Sequence, residues 1–263
     1  MRKDILQMMK KGKKQALSVF CLCVAALLIA LAGMGKLRLS KAIGPKTQMP
    51  PLLSVLPEWA ARMGSPVAMM EVAGDLFAHA REFRDEQALK TAVALWCSAA
   101  KRGEARAQYL IATLYDAGRV LPGDAEKAVH WYRQAAEQGL VHAQFDLAEC
   151  LYFGTGTEKN EREAAEWYRR AAEQGYAMAQ FDLGVCYDFG RGVQQDSCEA
   201  VKWYRAAAEQ GVTDAQYNLA CCFEEGEGVV ENAEEARTWY ARAAAQGHEE
   251  ARRALQEMED VKE

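Results

Sequence analysis

The chain has 263 residues, of which half are hydrophobic and 26% are charged, and its net charge is −5. The charge is unevenly distributed: residues 1–66 contain 11 Lys and Arg against 2 Asp and Glu, whereas residues 67–263 contain 21 against 35, a net charge of −14. An acidic surface repels phosphate groups, so this composition argues against nucleic-acid binding by the C-terminal part.

The N-terminus has the pattern of a membrane-inserted or exported chain. A basic segment at 1–16 precedes an uncharged apolar stretch at 17–34, which is long enough to span a membrane as a helix. The same pattern fits a secretory signal, for which Ala30-Leu31-Ala32 offers a cleavage site. More basic residues precede the stretch than follow it, which favours a transmembrane helix with the rest of the chain on the outer (periplasmic or extracytoplasmic) side. The alternative is secretion after signal cleavage.

Residues 35–66 contain five of the six prolines of the chain. Proline disrupts continuous helix, so this segment is predicted to be a spacer between the apolar stretch and a folded domain that begins near residue 67.

Beyond the spacer, a glycine returns every 36 residues, at Gly103, Gly139, Gly175, Gly211 and Gly247. The segments WYRQAAEQGLVHAQFDLAECLY and WYRRAAEQGYAMAQFDLGVCYD align around it without a gap. A fixed period of this length predicts a solenoid whose units bury their apolar faces against each other. The predicted boundaries are a degenerate first repeat at 67–103, full repeats at 104–139, 140–175, 176–211 and 212–247, and a capping helix at 248–263.

Each repeat contains two helical patterns. The first places apolar residues such as Ala143, Leu147 and Leu151 on one stripe of a helix from about 141 to 152. The second begins after a residue that can cap a helix, and these residues are Asp124, Asn160, Asp196 and Asn232. Three of the four are followed by Glu three residues later, which is the capping-box pattern, whereas the first is followed by Lys127. The predicted fold class is therefore all-α, an α/α superhelical solenoid of four to five helical hairpins.

The segment AQFDLGVCYDFGRGVQQDSCEAVKWYRAAAEQG resembles the Sel-1-like repeat, a relative of the tetratricopeptide repeat. Its Ala-Gln, Gly-x-Gly-Val, Trp-Tyr and Ala-Ala-Glu-Gln-Gly elements recur in one register. The resemblance implies that the domain serves as an adaptor or scaffold for other proteins. It also implies that the chain is exported or membrane-bound, as several members are, and it brings no catalytic residue.

The sequence contains no pattern typical of catalysis or cofactor binding. Cys150, Cys186 and Cys222 recur on the inward stripe of the first helices, too far apart to form disulfide bonds with each other. None of the four histidines has metal-ligand spacing, and no serine lies in a nucleophile motif. We therefore predict a protein that is not an enzyme, with no cofactor, no metal and no evident small-molecule substrate.

The positions beside the buried stripe of the first helices vary from repeat to repeat. In a helical solenoid these helices line a concave groove, so the predicted recognition residues are His142, Asp146, Glu149, Met178 and Asp182. The alternative is a solvated face without a partner. Reversing Asp146 and Asp182 to Lys is expected to weaken binding and its salt dependence while changing the stability by no more than about 0.5 kcal/mol, as is usual for surface positions.

Taken together, these patterns predict a membrane-tethered or exported scaffold for protein–protein interactions. It would bind a protein or peptide partner, and the acidic domain favours a basic one. The alternative function is an exported enzyme, or a regulator of enzymes, that acts on cell-wall material.

Overall fold

The computed structural model describes residues 65–260, together with all side chains up to Met258. This range contains eleven helices and no strand. It falls into two compact units that divide between Gln108 and Tyr109. The predicted all-α fold is therefore confirmed.

The first unit contains α1 (Pro66–Phe83), α2 (Glu86–Lys101) and the beginning of α3 (Ala105–Ala117). Ser65 and Asp85 cap α1 and α2 through their side-chain oxygens. The two helices pack together, and the ring centroids of Phe77 and Trp96 lie 5.1 Å apart. The segment predicted as a degenerate repeat is thus a pair of helices, with a first helix of 18 residues.

The second unit contains the rest of α3 and eight further helices. These are α4 (Ala125–Glu137), α5 (Val141–Phe153), α6 (Glu161–Glu173), α7 (Ala177–Phe189), α8 (Ser197–Glu209), α9 (Thr213–Glu225), α10 (Ala233–Ala245) and α11 (Glu249–Asp260). Helices α3 to α10 are each 13 residues long and supply the eight helices predicted for residues 104–247. We call α3, α5, α7 and α9 the first helices of the repeats, and α4, α6, α8 and α10 the second helices.

The second helices begin where the sequence predicts. Asp124, Asn160, Asp196 and Asn232 each accept a hydrogen bond from a backbone N–H three residues later, at 3.0–3.2 Å. At Asn160 the capping box is only half formed, since the Glu163 carboxylate accepts from Arg133 and from Trp167 Nε1. That carboxylate therefore joins α6 to α4.

Glycines with positive φ end the helices and bring successive repeats close together. The closing glycines of the second helices have φ of 86–94°, a left-handed conformation that ends a helix and that glycine adopts without strain. In the loop after α5, Gly156 has φ of 69°, and a Cβ there would lie 2.3 Å from the Ala125 carbonyl oxygen. The second glycine of this loop is therefore required by backbone conformation and by the contact with α4.

The four repeated tryptophans are not buried alike, although they occupy equivalent positions of the four repeats. Trp167 and Trp239 are 6% and 5% exposed, whereas Trp131 and Trp203 are only partly buried. The Arg170 guanidinium lies 4.3 Å from the Trp167 ring centroid, and Arg242 covers Trp239 at 4.4 Å. The equivalent positions after Trp131 and Trp203 are Gln134 and Ala206, which cannot cover the ring in this way.

A row of buried glutamines joins consecutive repeats. Gln144 Nε2 donates to the Ala136 carbonyl at the end of α4 (3.2 Å), and Gln144 Oε1 accepts from Gln174 Nε2 after α6 (2.7 Å). The same pair of bonds recurs at Gln180 and Gln216. We call Gln108, Gln144, Gln180 and Gln216 the glutamine row; these side chains are only 4–7% exposed.

No helix within residues 65–260 is both long and apolar enough to cross a membrane. The apolar stretch at 17–34 and the spacer at 35–66 lie outside the described residues, apart from the end of the spacer at Ser65 and Pro66.

Candidate functional site

The first helices present one buried stripe and one partly exposed row. In α5, Ala143, Leu147 and Leu151 are fully buried. Asp146 and Glu149 lie beside this stripe and remain partly exposed. Because the repeats are in register, the corresponding positions of successive first helices form one surface, which we call the first-helix face.

The structure places the five predicted recognition residues in different surroundings. His142 and Met178 are exposed, and the His142 ring lies 5.4 Å from the Tyr176 ring between centroids. Asp146, Glu149 and Asp182 are partly buried. We call these three acids the carboxylate row.

Asp146 and Glu149 line a cavity of about 500 Å³ between α3 and α5, which we call the α3–α5 cavity. Its other lining residues are Thr113, Asp116, Ala117, Tyr132, Cys150, Phe153 and Thr155. His142, Met178 and Asp182 are not among them. The structure therefore brings two of the five predicted residues together in one site.

The carboxylate row lies in an environment that disfavours its charge. Burial, and secondarily the negative charge of Glu149, raises the pKa of Asp182 to about 7. Burial also raises the pKa of Asp146, although a hydrogen bond with Tyr109 acts in the opposite direction. No Lys, Arg or His nitrogen of residues 65–260 forms an ion pair with any of these three carboxylates.

This burial corrects one expectation from the sequence. Asp146 and Asp182 are not simple surface positions, because removing them from water already perturbs their protonation. A lysine at either position would place a cation partly out of water, so charge reversal is expected to cost more than the predicted 0.5 kcal/mol or so. Asparagine is the better substitution for removing either charge.

A row of tyrosines from the second helices faces acids of the first helices, one of which is Glu149 of the carboxylate row. Tyr168 donates to Glu149 Oε1, Tyr204 to Asp188 Oδ2 at 2.9 Å and Tyr240 to Glu224 Oε2 at 2.6 Å. The fourth member, Tyr132, is 3% exposed and lines the α3–α5 cavity. Its hydroxyl has no hydrogen-bond partner within the part of the chain that the structure describes.

Sequence reasoning missed the cavity residues Asp116, Tyr132, Phe153 and Thr155. A signal was present for one of them: Phe153 and Phe189 stand 36 residues apart immediately before a glycine, and both are more than 60% exposed. Large apolar side chains that recur at solvated positions indicate a binding surface.

The described residues offer little for metal or nucleophilic chemistry. Residues 65–260 contain no group of three or more His, Cys, Asp or Glu arranged to hold a metal ion. The cysteines of this range are free thiols. Burial raises the pKa of Cys150, Cys186 and Cys222 to about 12, so each is a neutral thiol at physiological pH.

Comparison with known proteins places these repeats in a family. The Sel1 repeat matches residues 105–140, 141–176, 177–212 and 213–248, which is more than half of the chain. No curated protein matches the sequence.

Two solved structures are similar over most of the chain. One is a protective antigen of uropathogenic Escherichia coli with the same repeat fold, which is 32% identical with a TM-score of 0.70. The match covers 78% of this chain but only 43% of that antigen. The other is a Sel1 repeat protein from Oxalobacter formigenes, 32% identical with a TM-score of 0.66, over 78% of this chain and 80% of that one. The chain belongs to the Sel1 repeat family.

Proposed function

We propose that the chain is a protein–protein interaction scaffold, attached to a membrane or exported, that binds a basic protein or peptide on its first-helix face. Sel1 repeat proteins are generally scaffolds for protein interactions. The observation that carries the proposal for this chain is the carboxylate row: three partly buried acids, none of which forms an ion pair with a Lys, Arg or His nitrogen of residues 65–260.

A basic partner would relieve the unfavourable environment of these acids. A cation placed beside Asp182 would offset the repulsion from Glu149 and stabilise the ionised form. The net charge of −14 on residues 67–263 would also accelerate the approach of a positively charged partner.

The test is to capture partners with the full chain and to measure the affinity of each for the double variant Asp146→Asn/Asp182→Asn. We expect weaker binding and a smaller dependence of affinity on salt, because two charges leave the interface. The matched control is Glu137→Gln/Glu173→Gln, which removes the same charge from exposed positions at the ends of α4 and α6. Equal affinities of the two double variants at low salt would refute the proposed face.

Attachment to the membrane is tested separately with the full chain. The basic segment at 1–16 and the uncharged stretch at 17–34 support a membrane anchor. After carbonate extraction, an anchored protein stays in the membrane pellet. Release of a protein that begins at Gly33 would show instead that the stretch is a cleaved signal.

A further inference from the structure

The position that corresponds to the α3–α5 cavity one repeat later already contains an arginine of this chain, and we call it the filled site. Arg191, in the loop after α7, places its guanidinium 5.0 Å from the ring centroid of Phe189 and donates a hydrogen bond to the hydroxyl of Tyr152. This arginine therefore stacks on an aromatic ring at the end of α7 and reaches the preceding first helix, α5.

In the α3–α5 cavity, the equivalents of these three residues, 36 positions earlier, are Thr155, Phe153 and Asp116. The ring is retained, and Phe153 is 67% exposed. A carboxylate replaces the acceptor hydroxyl, and the short threonine side chain replaces the arginine. The ring and the acceptor of the filled site are thus both present in the cavity, whereas the guanidinium is not.

A second observation points to a polar occupant. Tyr132 is the only one of the four equivalent tyrosines in α4, α6, α8 and α10 whose hydroxyl lacks a carboxylate partner within residues 109–260. Its side chain is 97% buried and forms part of the cavity wall. An occupant of the cavity that hydrogen bonds to this hydroxyl would supply the kind of partner that its three equivalents already have.

We propose that the α3–α5 cavity binds the guanidinium group of an arginine side chain supplied by a protein partner. The group stacks on Phe153 as Arg191 stacks on Phe189, donates to the Asp116 carboxylate, and lies within reach of the Tyr132 hydroxyl. Arginine suits the cavity better than lysine, because a planar guanidinium can stack on a ring and hydrogen bond at its edge at the same time. This inference rests on the proposed function and specifies the residue type that the partner contributes.

The test uses the full chain in detergent, labelled at its threonine methyl groups and observed by NMR. Thr113 and Thr155 line the cavity, whereas Thr213 and Thr238 lie in α9 and α10 and serve as internal controls. The probe is Nα-acetyl-L-arginine methylamide. We expect saturable shifts at Thr113 and Thr155 only, with a Kd on the order of 1 mM for so small a ligand. The neutral citrulline analogue should bind at least tenfold more weakly, and the lysine analogue should bind with intermediate affinity.

Two arginine variants test the comparison with Arg191. Thr155→Arg should place the chain's own guanidinium in the cavity and weaken probe binding, observed at Thr113, at least tenfold. Thr238→Arg adds the same group at an exposed position of α10, away from the cavity, so its affinity should stay within about twofold of the wild type. Circular dichroism verifies that both variants retain their helix content.

The inference would be overturned by equal responses to the arginine and citrulline probes, by the absence of saturable shifts, or by unchanged binding to Thr155→Arg. Its failure is distinguishable from failure of the scaffold function. If a partner's affinity depends on Asp146 and Asp182 but not on Thr155→Arg, the scaffold function stands and the arginine site does not. If the probe binds as expected but no partner depends on the carboxylate row, the arginine site stands alone.

Discussion

The glutamine row and the carboxylate row lie on the same helices, but they differ in burial and in hydrogen bonding. Gln144 and Gln180 are buried, neutral and doubly hydrogen bonded, and the same bonds recur at each copy. Asp146 and Asp182 are partly buried and carry raised pKa values. A buried polar group with all its partners stabilises one arrangement of helices, whereas a partly buried carboxylate without an ion pair is costly until a cation binds beside it. The first row therefore maintains the fold, and the second is available for recognition.

The largest expected loss of stability comes from a buried tryptophan, and it is the apolar standard against which the two polar rows are compared. Replacing Trp167 by Ala removes a side chain that is 6% exposed and is expected to lower the free energy of unfolding by about 3–5 kcal/mol through the cavity it leaves. Trp203→Ala is the matched control, because Trp203 is partly exposed and no arginine within residues 65–260 covers its ring. Urea unfolding measures both, and equal losses would show that the difference in burial has no energetic weight.

The glutamine row is expected to give the next largest effect. Gln180→Leu keeps the approximate volume but removes two hydrogen bonds, the one from Gln180 Nε2 to the Ala172 carbonyl and the one from Gln210 Nε2 to Gln180 Oε1. We expect the free energy of unfolding to fall by about 1–3 kcal/mol, since each hydrogen bond contributes about 0.5–1.5 kcal/mol. Gln194→Leu, at an exposed loop position, should change it by less than about 0.5 kcal/mol. If Gln180→Leu lowered the free energy of unfolding as little as the control does, the glutamine row would not contribute to the stability of the fold.

Substitution in the carboxylate row should have the opposite effect and raise the free energy of unfolding. The pKa of Asp182 in the folded protein is about 7, above its usual value of 3.8, so its contribution to stability is fully present below pH 3.8 and is lost as the pH rises through 7. Asp182→Asn removes the charge and should raise the free energy of unfolding at pH 8 by at least about 1 kcal/mol while flattening its pH dependence between 4 and 7. Glu173→Gln, at an exposed position, should do neither. A destabilised Asp182→Asn variant at pH 8 would mean that the carboxylate is already compensated in the free protein.

The smallest expected effect concerns the tyrosines that face the acids. Tyr132→Phe removes a hydroxyl that has no partner within residues 65–260, so the stability should change by less than about 0.5 kcal/mol. Tyr204→Phe removes a 2.9 Å hydrogen bond to Asp188 and should cost about 1.5 kcal/mol or more, because that acceptor is a carboxylate. Thermal unfolding of the two variants, each compared with the wild type, measures these two changes in stability. A large loss for Tyr132→Phe would show that its hydroxyl already has a role in the fold.

The fold was predictable from the sequence because its signals are local and repeated. The cap at Asn160 and the stop at Gly175 each depend on a few neighbouring residues, and the 36-residue register extends them to the other repeats. The unequal burial of Trp167 and Trp203 was not predictable from the repeated residues. It depends on whether Arg170 or Ala206 lies three positions further along the helix, outside the shared pattern.

The candidate site was predictable only in part. Variation between repeats pointed to Asp146 and Glu149, and both line the cavity. It could not show that Asp116 and Thr155, from two different repeats, complete the same site, because that depends on how α3 packs beside α5. The absence of a partner for Tyr132 is likewise visible only when its three equivalents can be compared in space.

The bonds that join the repeats of the second unit have a short reach along the chain. Gln210 is 30 residues from Gln180, and Tyr204 is 16 residues from Asp188. An extra unit of 36 residues inserted in register would therefore meet suitable partners on both sides without any new contact chemistry. Gene duplication within the repeats can in this way lengthen the array one hairpin at a time, while each existing copy keeps the neighbours it already has.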